Sequence, residues 1–104
     1  MQLLFSYPHL AAPTVETIRE YATKRFSKLQ RYLPKFDGEH AVRISVRKER
    51  NQFYVQVEIT VPKALVVKVN DFDLRKAIDM AYQVIKNMAL KYRERVHERT
   101  NPST

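Results

Sequence analysis

The sequence has no cysteine, a single glycine and no apolar run long enough to cross a bilayer. Without cysteine there is no disulfide, thiolate metal site or thiol nucleophile, so stability has to come from packing. With Gly38 alone, no glycine-rich loop is available to cradle a phosphate. A membrane-spanning helix needs roughly 20 consecutive apolar residues, and the N-terminus lacks the basic region and apolar stretch of a signal peptide. A cytoplasmic protein with no membrane partner is therefore expected. Acids are missing from two stretches in particular. KRFSKLQRYLPK, residues 24–35, holds Lys24, Arg25, Lys28, Arg31 and Lys35 and no acid, and Met80 to Arg93 holds Lys86, Lys91 and Arg93 and no acid.

What is present describes an ordered domain. Of 104 residues 44% are apolar, with six Tyr and five Phe, enough for one packed core rather than a disordered tail. Residues 1–98 are expected to form a single domain, and the polar 99–104, with Pro102, a short frayed tail. The net charge of +8 is unevenly spread, with six cations against two acids up to Lys35, six against five from Phe36 to Phe72, and seven against four beyond. An even excess would serve solubility. Clustering at the two ends of the chain points to an anionic partner.

Met1 to Tyr7 alternates, Leu3, Phe5 and Tyr7 on one side, and predicts a short strand ended by Pro8. Thr14, after Pro13, has the hydroxyl of a good N-cap. From there Val15, Ile18, Ala22, Phe26, Leu29 and Leu33 recur at three- and four-residue steps, predicting a helix of about five turns that stops before Pro34. At 100° per residue its cations Lys24, Lys28 and Arg31 form a ridge opposite the apolar stripe, with Arg25 beside it. Asp37-Gly38 then reads as a turn. Ala41–Lys48, Phe53–Val61 and Leu65–Asn70 each alternate apolar and polar residues, giving a three-stranded meander linked by Glu49-Arg50-Asn51-Gln52 and Pro62-Lys63-Ala64. Asp73 is the favoured cap of a second helix, whose stripe is Leu74, Ala77, Ile78, Ala81, Ile85, Met88, Tyr92 and Val96, ending near Val96 or Glu98.

The order β-α-β-β-β-α, with strands apolar on one side only, predicts an α+β fold: a four-stranded mixed sheet with two helices packed on one face. A right-handed crossover makes the first two strands parallel neighbours. An ordinary solvated helix gains a few tenths of a kcal/mol from each Glu-to-Lys pair at i, i+4; the two acid-free stretches forgo this within themselves. Lys91 with Arg95, and Lys86 with Arg93, border the second stripe on its two flanks. Cations near a helix C-terminus suit the dipole, which accounts for Lys91, Arg93 and Arg95, but Lys24 and Lys28 are expected mid-helix, beyond its reach. Two basic helices side by side make an electropositive groove suited to phosphates, read by shape rather than base sequence.

The catalytic inventory is thin. His9, His40 and His97 fall in a loop, a turn and a helix end, without a second ligand at metal spacing. Asp71 and Asp73 fit helix capping better than acid-base work, and Ser27 and Ser45 have no evident base. No enzyme, cofactor, metal or small-molecule substrate is expected.

The segments MQLLFSY, IREYATKRFSKLQRYL, VRISVRKERNQFYVQVEITVP and DLRKAIDMAYQVIKNMALKYRER resemble the hibernation-promoting factor and protein Y family of ribosome-associated inhibitors. The telling parts are the AID at Ala77 to Asp79 and the pattern of Lys91, Tyr92, Arg93 and Arg95. The resemblance implies a domain, monomeric off the ribosome, that lodges in the decoding region of the small ribosomal subunit and binds rRNA. There it blocks mRNA and tRNA positions and silences translation under stress or in stationary phase. Arg25, Lys28, Lys91, Arg93 and Arg95 match the family's basic positions; Lys24, Arg31 and Lys86 are added by helical geometry. The chain departs at Arg75, where the family often has an aromatic, and at Met88 and Leu90, where it often has polar or basic residues. It stops about where short family members stop. Two other readings stay open: a protein-interaction module acting through an edge strand, and a general double-stranded RNA binder.

Overall fold

The structure, a computed structural model, describes residues 1–33, 40–61 and 63–99, with positions 61, 63 and 94–99 described by backbone alone. The elements are β1 (Gln2–Ser6), α1 (Ala12–Phe26), a 3-10 turn (Leu29–Tyr32), β2 (Ala41–Glu49), β3 (Gln52–Val61), β4 (Lys63–Asp71) and α2 (Leu74–Arg99). This is the expected β-α-β-β-β-α order. One four-stranded sheet runs β1-β2-β3-β4, β1 parallel to β2 and the other pairs antiparallel.

Register follows from the alternation. Phe5, Ile44, Val57 and Val67 lie in one row across the four strands, and this inner face carries Val42, Val46, Val55 and Ile59 as well. Ile18, Ala22 and Phe26 of α1 and Ala77, Ile78, Ala81, Ile85 and Ala89 of α2 complete a single core, all fully buried. The opposite face of the sheet carries Ser6, Arg43, Ser45, Arg47, Tyr54, Gln56 and Lys68 and, among the described residues, no helix. The hairpin between β2 and β3 is tighter than expected. Glu49 pairs with Gln52, and Arg50 takes a φ of 55°, the left-handed conformation that two-residue hairpin turns use.

The second helix starts as the sequence indicates. The Asp73 carboxylate accepts from the Lys76 backbone N–H at 3.2 Å, and Asp71 accepts from the Asp73 N–H at 2.9 Å.

The first helix differs from expectation at both ends. It begins at Ala12, so Thr14 lies within its first turn, and its N-cap is Ala11, whose methyl group makes no capping hydrogen bond. Pro13 fits this first turn because its missing N–H would be unsatisfied there anyway. The helix then ends at Phe26 instead of Leu33. The Ser27 hydroxyl donates to the Lys24 carbonyl at 3.0 Å, and the Lys28 N–H turns to the Arg25 carbonyl, so the chain tightens into the 3-10 turn. Phe26, Leu29 and Leu33 remain buried through the change. Lys24 and Arg25 thus stand in the last helical turn and Lys28 at the junction, none of them mid-helix. The helix dipole therefore favours Lys24 after all. The expected Asp37-Gly38 turn, Lys35 and the last residues of the tail lie outside the described residues.

Candidate nucleic-acid interface

The two helices meet along a seam, and most of the basic residues singled out above border it. Its centre is a carboxylate, Asp79 on α2, which is half-buried. It accepts hydrogen bonds from Arg25 Nε at 2.6 Å and from the Tyr21 hydroxyl at 2.8 Å to each oxygen. Both donors lie on α1, one turn apart, so a single acid of α2 ties down two positions of its neighbour. The Arg25 guanidinium also lies 5.8 Å from the centre of the Tyr82 ring, and Tyr82 in turn meets Phe26 edge to face. Arg25 is therefore a positioning residue as much as a free cation, its side chain 41% exposed.

Burial pushes the Asp79 carboxyl up, but the hydrogen bonds from Arg25 and Tyr21 and the Arg25 charge outweigh it and hold the group below the usual carboxylate range. The Tyr21 phenol is raised, first by its hydrogen bond to Asp79 and then by burial. Because the folded pKa of Asp79 lies below the unfolded value near ~3.9, its contribution to stability is complete above that value and is lost as pH falls through the folded one. Asp79→Asn is expected to lower stability at neutral pH by about 1 kcal/mol, below the usual range for a charged hydrogen bond because the cluster is half exposed. The deficit should shrink at acid pH. Urea melts at neutral pH and near pH 3 check both; an equal deficit at the two would exclude the ionised carboxylate as its source.

At one end of the seam, Lys24 and Arg75 line a hollow of about 200 Å³ with Thr17, Glu20 and Tyr21. The Arg75 guanidinium lies 5.8 Å from the Tyr21 ring centre. At the other end, Lys86 Nζ lies 4.7 Å from the Tyr32 ring centre and Arg93 Nη1 donates to the Arg31 carbonyl at 3.3 Å. These two contacts hold the 3-10 turn against α2 and bring Arg31, Lys86 and Arg93 together. Lys28 is exposed at the start of that turn.

Lys91 does not join them. It is exposed, but at 100° per residue it stands roughly 140° from Lys86 and 160° from Arg93, on the flank of α2 away from α1. The side chain of Arg95 lies outside the described residues. Four residues of the seam were not singled out as functional from the sequence: Glu20, Tyr21, Arg75 and Asp79. One signal was available, since Asp79 is the lone acid between Leu74 and Arg93.

The seam thus gathers Lys24, Arg25, Arg31, Arg75, Lys86 and Arg93, with Lys28 at the junction, around Asp79 and Glu20. Such an excess suits an array of phosphates. Among the described residues no cluster of metal-binding side chains occurs, and no helix is long and apolar enough to cross a membrane.

Comparison with known proteins agrees with this architecture. Residues 12–97 match a protein-family model described as sigma 54 modulation protein / S30EA ribosomal protein. No curated protein sequence matches the chain. Among solved structures, the Protein Y N-terminal domain of Thermus thermophilus superposes with a TM-score of 0.75 at 23% identity, covering 89% of this chain and 100% of its own. A ribosomal subunit interface protein from Coxiella burnetii gives 0.70 at 16% identity, covering 90% and 99%. At these identities the likeness is one of fold.

Proposed function

Since the chain belongs to the sigma 54 modulation protein / S30EA ribosomal protein family, we propose that it is a ribosome-associated translation inhibitor that works by occupancy, without chemistry. In this reading residues 1–98 are the binding unit, and the seam between α1 and α2 docks on rRNA in the decoding region of the small ribosomal subunit. The domain then stands where mRNA and tRNA must pass. It acts in the cytoplasm as a monomer, without cofactor, membrane or small-molecule substrate, and serves to hibernate ribosomes under stress or in stationary phase.

The observation that carries the proposal is the cation excess gathered at the seam, opposed by Asp79 and Glu20 and rigidly based on the core. Lys24, Lys28, Arg31 and Arg75 face phosphates, Lys86 and Arg93 do so while bracing the 3-10 turn, and Arg25 holds α1 in place beside them. Lys91 would reach rRNA only beyond the seam, and Arg95 remains a contact expected from the sequence. The names of the two structural neighbours, Protein Y and ribosomal subunit interface protein, lend support.

With about five phosphates engaged, log affinity should fall against log salt with a slope of roughly −3.5 to −4.5. Co-sedimentation with purified small subunits across a salt series measures this slope. A flat dependence refutes docking through the seam.

A further inference from the structure

The helix-free face of the sheet has features that the seam does not explain. A hollow of about 450 Å³ lies on it, lined by Ser6, Ser45, Arg47, Tyr54, Gln56 and Lys68 among others. A second, of about 500 Å³, adjoins it, sharing Ser6 and Ser45 and reaching Leu4 and Arg43. Together they form a track across the strands. Its floor is a row of uncharged polar side chains in register, Ser6, Ser45 and Gln56, which ends at Lys68. Lys68 closes the row on β4 and Arg43 stands beside it on β2, two strands across and two residues along, about 12 Å away; neither has an ion pair among the described residues.

On the other side of the row stands a stacked pair. The Arg47 guanidinium lies 5.0 Å from the centre of the half-buried Tyr54 ring, and Arg47 is held in addition by Glu49 at 3.1 Å. That carboxylate pairs with one edge of the guanidinium, although both groups stay exposed. What the pair presents to a ligand is a flat, polarisable plate. Glu58 faces Arg43 in register, so the net charge of this face is low and charge alone would hold a polyanion poorly. A ligand that suits the face needs a flat ring to stack, polar edges for hydroxyl and amide groups, and phosphates spaced to meet separate cations. The Asp and Glu side chains of an acidic peptide offer no ring, and duplex RNA has its rings enclosed.

We infer that the helix-free face of the sheet binds single-stranded RNA, with one base stacked on the Arg47–Tyr54 pair, its edge meeting Ser45 and Gln56, and flanking phosphates taken by Lys68 and Arg43. Base stacking on an aromatic contributes about 1–3 kcal/mol, roughly 5- to 150-fold in affinity. The site is separate from the α1–α2 seam, with the sheet between them, and does not depend on the ribosome proposal.

The test is fluorescence anisotropy with a short labelled oligouridylate and a duplex of equal length. The intact protein should bind the single strand more tightly than the duplex. Tyr54→Ala should weaken single-strand binding by about 5- to 150-fold, Tyr54→Phe should retain it, and Lys68→Glu should reduce it and flatten its salt dependence. Lys24→Glu with Lys28→Glu should leave it unchanged while weakening ribosome binding. The inference is overturned if the oligouridylate does not bind, if the duplex binds equally well, or if Lys68→Glu and a folded Tyr54→Ala variant bind as the intact protein does. It fails too if binding is lost in the Lys24/Lys28 variant alone. None of those results bears on sedimentation with ribosomes, so the two proposals fail separately.

Discussion

Replacing Lys24 and Lys28 together by glutamate is expected to lower affinity for the small ribosomal subunit by at least about 25- to 60-fold at 0.1 M salt. The figure follows from counterion release: each phosphate contact contributes about 0.7 to 0.9 to the log-log slope, and the span from 1 M to 0.1 M is one decade. Two lost contacts therefore cost that factor, before any repulsion from the new carboxylates, and the slope itself should fall by about 1.4 to 1.8. Both lysines are exposed at the end of α1, and Lys24 borders the hollow that contains Arg75. Folding should suffer little. Lys24 lies in the last turn of the helix, where its charge contributes about 0.3–1 kcal/mol through the dipole, so thermal melts should move by a few degrees. Lys91→Glu is the control. It lies on the other flank of α2 and should leave the slope where it was. If Lys91→Glu acts as strongly as the double variant, the docking face is not the seam.

Phe26→Ala is expected to have the largest effect on stability, a loss of about 3–5 kcal/mol. The ring is fully buried at the end of α1, 5.4 Å from the Tyr82 ring centre at 85° between planes. Removing it leaves a cavity where α1, α2 and the sheet meet and forfeits an edge-to-face pair worth about 0.5–1.5 kcal/mol beyond its area. Domains of this size have roughly 5–15 kcal/mol in total, so the variant should melt tens of degrees lower, at about 4–8 °C per kcal/mol. Circular dichroism melts give the answer directly. A shift of only a few degrees would mean that the site repacks, which a core joined from three sides does not readily allow. The consequence reaches the surface, since Phe26 supports Tyr82 and the Tyr82 ring supports Arg25.

The sequence made the sheet and α2 legible for a plain reason. An alternation of period two in β2, β3 and β4 and a 3.6-residue stripe from Leu74 to Tyr92 are dictated by one buried side, and burial is what these elements have in common. The Asp73 cap was legible because a carboxylate before an apolar stripe has a local use. Helix α1 was less so. Its apolar stripe continues through the 3-10 turn, so periodicity alone did not register the change of winding at Ser27, and at its start Thr14 advertised a cap that Ala11 occupies without one. The seam was half legible. Helical spacing said that Lys86 and Lys91 point apart, but which flank of α2 meets α1 is decided by packing. Arg25 and Asp79 are 54 positions apart in the chain, and no local pattern announces a partner at that distance.

The sheet joins two kinds of pairing with different demands on the chain. Strands β2, β3 and β4 meet through short reversals, whereas β1 reaches its parallel partner only after α1 and the 3-10 turn have been traversed, Gln2 opposite Ala41. Closing the longer loop costs more chain entropy and is slower than zipping a hairpin. During synthesis β1 leaves the exit tunnel first yet has nothing to pair with until β2 follows. Its seating is then expected to be the late step of folding, and the N-terminal strand the first to let go when the domain is pulled from that end.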